Sequence, residues 1–264
     1  MRASTPAFQE PSGEMVGLDF FFGSLTSADA IEAVTKQCLE SGGVFGNTIY
    51  VAEFEGARDS SFESIYSDEV GRRQISIDSL PLCLSDKNKR VVRIPIKGAI
   101  GIGTSTADVV TFNSISKAAS ICDSHPVSIM AEGWFFSTPG YEQKALRSGE
   151  RCWRRFLRYC QTLEPDYAAI LNENSLPSFR DLKDAKDCRC FCDFFVSAEI
   201  YGERLVTQLE GMYQDAYVER VGKGIFISVS AVYNPKKLKI DRLDALKRSA
   251  VVSKLLSLKH TACR

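Results

Sequence analysis

Apolar and polar residues follow two periods along this chain, and the clearest example lies past its midpoint. Within residues 143–163, Leu146, Trp153, Phe156, Leu157, Cys160 and Leu163 recur at the helical period, while Arg147, Arg151, Arg154 and Arg158 fall on the opposite side at i, i+4, i+7, i+11. The spacing predicts a helix with one face for a core and an arginine row for solvent. Thr138-Pro139 marks its expected start, because proline suits the first helical position.

The flanking sequence reads as strands and helices in succession. Residues 15–23, MVGLDFFFG, predict a buried strand, since three consecutive phenylalanines leave no side for water. A helix over 28–40 follows, capped by Ser27, apolar at Ile31, Val34 and Cys38, and stopped by Gly42-Gly43. Residues 44–54 read as one strand and 55–69 as an acidic exposed loop. Strands are expected over 74–78, 91–96, 108–112 and 127–136, with turns at Pro81 and at 120–126. Pro95 marks its strand as an edge or a bulge.

After the central helix, Tyr167, Ile170 and Leu171 predict a short helix over 165–172, and 175–187 a polar loop. Residues 191–200 read as a strand and 203–213 as a helix with Leu205, Val206, Leu209 and Met212 on its apolar side. A strand region over 218–233 is interrupted by Gly222-Lys223-Gly224, and an amphipathic helix capped by Asp241 ends the pattern at 241–258.

Asp19-Phe20-Phe21-Phe22 matches Asp193-Phe194-Phe195-Val196, and each is followed by a helix and then by a glycine-led strand, reaching Ile49 and Ile225 respectively. That length suits a strand, a crossover helix and a parallel strand. The expected architecture is α+β: a tail over 1–13, an α+β half over 14–136, a central helical segment over 137–187, and a second half over 188–264. In this repeat Asp19 and Asp193 are equivalent.

Composition sharpens the picture in three ways. The 44% apolar and 25% charged content of the 264 residues is that of a folded chain rather than a disordered one. Formal net charge is zero, yet residues 1–80 hold 13 acids against 5 bases, leaving 20 acids and 28 bases of the 33 and 33 for the remainder. Nine cysteines cannot all pair with one another, and a first segment without an apolar run is no secretory signal, so a cytoplasmic, reducing location is expected. No run is long and apolar enough for a membrane helix.

Few constellations carry chemistry. The two histidines, His125 and His260, lack a nucleophile elbow nearby, although Cys122 is close to His125. Gly98, Gly101 and Gly103 match neither phosphate-loop pattern. Cys188, Cys190 and Cys192 would share one side of a strand, as core thiols or as ligands for a soft metal, but their spacing is not that of a zinc turn. Asp19 and Asp193, if brought together, would form a carboxylate pair for hydrolysis or for a divalent cation. Arg147, Arg151, Arg154, Arg155 and Arg158 offer a surface for an anionic partner, and Lys236, Lys237, Lys239, Arg242, Lys247, Arg248, Lys254 and Lys259 add a basic end.

The leading expectation is a non-enzymatic protein that binds another protein, of the kind that neutralises a toxin (an immunity protein), without a cofactor. One alternative is a hydrolase using Asp19 and Asp193. Another is an anionic-ligand or nucleic-acid binder, which lacks the aromatics expected beside the arginines.

Overall fold

The computed structural model describes residues 15–53, 72–85, 89–100, 106–111, 126–133, 140, 142–172, 176–177, 179–182, 190–229 and 242–259. The chain is α+β, built on one mixed-length sheet in which every strand pair is antiparallel. The strands are β1 (Met15–Phe21), β2 (Val44–Phe45), β3 (Thr48–Glu53), β4 (Arg72–Ser76), β5 (Lys89–Lys97), β6 (Thr106–Thr111), β7 (Val127–Glu132), β8 (Tyr167–Asn172), β9 (Asp193–Ser197), β10 (Tyr217–Val221) and β11 (Gly224–Ser228). Their order across the sheet is β10-β11-β9-β8-β1-β7-β6-β5-β3-β4, with β2 also on β5. The helices are α1 (Ser27–Glu40), α2 (Leu80–Ser85), α3 (Glu142–Leu163), α4 (Phe179–Leu182), α5 (Ala198–Tyr201), α6 (Glu203–Met212) and α7 (Arg242–Lys259).

Side chains alternate across the sheet and feed two cores. Phe20, Ala168, Phe195 and Phe226 are register partners on one face, in a core with Ile31 and Val34 of α1 and Phe156 and Tyr159 of α3. Phe21, Tyr167, Val196 and Ile225 line up on the other face, in a core with Leu205 and Leu209 of α6 and Val252 and Leu256 of α7. This two-sided cover explains strands of unbroken apolar residues in an antiparallel sheet.

β8 lies between β9 and β1 in the sheet. β1 and β9 both pair with β8, so they run parallel to each other on either side of it. Beyond β1 lie β7 and β6, and beyond β9 lie β11 and β10. The chain runs β1, α1, β2–β5 with α2, β6, β7 and α3 before β8, and α4, β9, α5, α6, β10, β11 and α7 after it. α1 and α3 cover one side of the sheet, α6 and α7 the other.

Several expectations are corrected. Thr26, not Ser27, caps α1, its hydroxyl accepting the Asp29 N–H at 3.2 Å. The strand expected over 44–54 is two, because β5 pairs first with β2 and then with β3 while Gly46 N–H bonds Pro95 O at 2.8 Å. A Cβ on Gly46 would meet Pro95 at 3.1 Å, so a glycine fits this irregularity, where Pro95 accepts from the Gly46 N–H but has no N–H to return the bond. Pro81 lies inside α2 rather than in a turn. The helix expected over 165–172 is the central strand β8, whose Tyr167, Ile170 and Leu171 are buried on alternate sides. A strand is predicted correctly at Asp193, but its end is α5, capped by the Ser197 hydroxyl. The expected polar loop over 175–187 includes α4. The strand region after 218 is the hairpin β10–β11, and β11 pairs antiparallel with β9, so the glycine-led strand of the second half is not a parallel return. The 1–13 tail, the 55–69 loop, Thr138-Pro139 and Asp241 lie outside the described residues.

Candidate functional site

α3 is held by its apolar side. Phe156 stacks on Phe20 with ring centroids 5.7 Å apart, and Trp153 meets the Tyr217 ring edge-on at 5.4 Å. Cys152, Phe156, Tyr159 and Cys160 are buried, and the Tyr159 hydroxyl donates to Ala99 O at 2.6 Å. With that side fixed, helical geometry sends the opposite ridge outward. Arg147, Arg151, Arg154 and Arg158 are all exposed, as the sequence predicts.

The ridge is held only by contacts within α3 among the described residues. Arg147 donates to Gln143 Oε1 at 3.2 Å, and Arg154 pairs with Glu150 at 2.5 Å. Each i,i+4 contact contributes only a few tenths of a kcal/mol, about 0.5 at most, so the ridge is readily re-paired with another anion. Four guanidiniums share this surface with one described carboxylate, Glu150.

Two residues depart from the expected division. Arg155 is half-buried and donates to the carbonyl of Ser41, the residue that ends α1. It is not part of the ridge: it satisfies a helix-terminal carbonyl and complements the negative end of that helix dipole. Leu146, expected on the buried side, is 40% exposed beside Arg147.

The other candidate groups do not assemble into a site. Asp19, Ala169 and Phe194 are successive register partners and share one face of the sheet; Asp193, next to Phe194, points to the other. Asp193 accepts the Ser228 hydroxyl at 2.6 Å, and its charge reaches Cys152 of α3. Asp19 accepts the Leu176 N–H through Oδ2 at 2.8 Å. Its Oδ1, like the hydroxyl of Ser128 opposite, has no geometric hydrogen-bond partner among the described residues. Burial raises the Asp19 carboxyl to about 7, against the opposing pull of the Leu176 N–H and the nearby Ser128 hydroxyl. The sheet separates these two carboxyls, so they cannot flank one bond.

The thiols are placed for packing. Burial pushes Cys38 and Cys152 up to about 12 and Cys160 well above the usual thiol value, the opposite of a nucleophile's shift. Cys190 and Cys192 sit in the segment entering β9 rather than on a strand, Cys190 buried and Cys192 half-buried, while Cys188 is outside the described residues. No cluster of three or more His, Cys, Asp or Glu suited to a metal occurs among the described residues. No described helix is long and apolar enough to cross a membrane.

No family model matches the chain. No curated protein matches it in sequence either. One solved structure similar to it is the Pseudomonas aeruginosa T6SS protein PA0821, at 12% identity and a TM-score of 0.40, over 95% of this chain and 73% of that one. At that level the likeness bears on neither fold nor activity.

Proposed function

We propose that this protein works by binding another protein, docking the α3 ridge of Arg147, Arg151, Arg154 and Arg158 onto an acidic surface. The observation that carries this reading is the ridge itself: four exposed guanidiniums on a helix anchored by aromatic packing, with one described carboxylate among them. From Arg147 to Arg158 the ridge extends about 16 Å, at about 1.5 Å per residue. Guanidiniums pair with carboxylates through two parallel hydrogen bonds, so a row this long favours a partner whose carboxylates are also in a row.

Toxin neutralisation is the finer form of the proposal. A neutraliser needs a rigid complementary surface and no chemistry of its own, and charge matching speeds its encounter with the target. Nucleic acid is the less favoured anion, because Trp153 packs on Tyr217 and Phe226 on the far side of α3 and offers no stacking platform beside the arginines.

The test is capture from the native cell with the full chain at moderate salt, beside a variant carrying Arg151→Glu, Arg154→Glu and Arg158→Glu. A stoichiometric protein held by the natural chain and released by the variant is the expected result. Equal recovery by both, or recovery of nucleic acid alone, would overturn the proposal.

A further inference from the structure

A second ridge lies on α7, on the opposite side of the sheet from α3. Its inner side is fixed by Ala245, Ser249, Val252, Ser253 and Leu256, all buried. Ser253 donates to Leu182 O at 2.7 Å, and the Phe191 N–H donates to Ser249 at 3.0 Å. Turned outward are Leu243, Lys247, Val251, Lys254 and Leu258. At about 100° per residue these five fall within about 80° of arc, in one stripe about 22 Å long. The three aliphatic members are 67%, 44% and 62% exposed, an unusual concentration of large apolar side chains on one line.

Charge decides the occupant. The stripe carries two cations and no acid, for Asp244 at its margin is engaged by Arg248, which also holds Asp215. The stripe reads nearly the same in both directions. In an antiparallel pair of identical stripes Leu243 would meet Leu258, but Lys247 would meet Lys254, so a second copy brings like charges together. A helix with aliphatic residues at these places and carboxylates opposite the lysines meets both requirements. The stripe holds no aromatic or arginine to anchor it at a lipid interface.

We infer that the outer stripe of α7 is a docking surface for an acidic amphipathic helix of another protein, read through Leu243, Val251 and Leu258 with Lys247 and Lys254 setting the charge. This contact is independent of the arginine ridge, which lies on the other side of the sheet and has no aliphatic row.

The probe is a stapled helical peptide with Leu, Glu, Val, Glu and Leu at the stripe's own spacing, beside the same peptide with Lys for Glu, each titrated onto the full chain by fluorescence anisotropy. The Glu peptide should bind at least tenfold more tightly than the Lys peptide. Lys247→Glu with Lys254→Glu should reverse that preference, and Val251→Asp, at an exposed position that leaves folding intact, should weaken the Glu peptide at least tenfold. Arg151→Glu should leave it unchanged. Absence of binding, equal binding of both peptides, or indifference to the lysine reversal would overturn the inference. So would a dimer of the natural chain in sedimentation that the lysine reversal does not disturb, or preferential binding to phosphatidylcholine–phosphatidylserine vesicles.

Discussion

Asp19 and Asp193 stand opposite serines on neighbouring strands, Ser128 and Ser228, yet point to opposite faces of one sheet. Each carboxyl therefore has its own surroundings, Asp19 beside the Leu176 N–H and Asp193 beside the Ser228 hydroxyl. The sheet thus keeps the carboxyls of the two matching DFF segments apart.

The buried Asp19 carboxyl makes stability depend on pH. Its folded value of about 7 lies above the ordinary 3.8, so between these values the folded chain binds more protons than the unfolded one. Stability therefore falls as pH rises from about 4 to about 7 and changes no further on this account above that. That displacement corresponds to about 4 kcal/mol as an upper bound. Asn in place of Asp19 can still accept the Leu176 N–H and can donate to Ser128. Asp19→Asn should flatten this part of the pH–stability curve and be the more stable chain at pH 8, as measured by urea unfolding; an unchanged slope would refute the assignment.

Arg155 and Arg151 are close in sequence and differ in role. Arg155→Ala leaves the Ser41 carbonyl at the end of α1 without its partner and should lower stability by about 1–2 kcal/mol. Arg151→Ala, on the exposed ridge, should stay within about 0.5 kcal/mol. Thermal unfolding of the two variants checks the difference, and equal losses would count against it.

Two glycines should respond in opposite directions. A Cβ on Gly224 would lie 2.3 Å from the Phe195 ring and 2.5 Å from the Val196 carbonyl, in a buried strand pair. Gly224→Ala should cost about 3 kcal/mol or prevent folding. Gly211 lies within α6 with no neighbouring atom within 4 Å, so Gly211→Ala should stabilise by about 0.5–1 kcal/mol.

Arg248 ties α7 to the end of α6. It donates to Met212 O and Asp215, pairs with Asp244, and lies over the Tyr213 ring at 5.5 Å. Arg248→Met, which keeps bulk but not charge, should cost about 1–3 kcal/mol, and hydrogen exchange should rise in α7 before it rises in β9. Uniform exchange across both would contradict this link.

The sequence made α3 legible because its two periodic sets do not overlap: a greasy side with Trp153 and Phe156, and a charged side with four arginines. β8 imitates a helix in sequence, because Tyr167, Ile170 and Leu171 have i, i+3, i+4 spacing and a strand covered on both faces has no alternation to betray it. The match of the two DFF segments is visible in the sequence, but β3, the glycine-led strand that follows the first of them, is no neighbour of β1. Opposite the DFF segments stand Val127-Ser128 and Ile227-Ser228, the first parted from its segment in sequence by β2–β6. Arg155 could not be separated from its neighbours without knowing where α1 ends. The α7 stripe is spelled by Leu243, Val251 and Leu258 at helical spacing, amid the many lysines of the same region.

Docking of the α3 ridge on a protein in the cell, as proposed, is open to site-specific photocrosslinking. A photoreactive residue placed at Arg151 should give one discrete protein adduct, and Arg147→Glu with Arg158→Glu should abolish it without altering the melting curve. No adduct at Arg151, or an adduct with nucleic acid, would contradict the account.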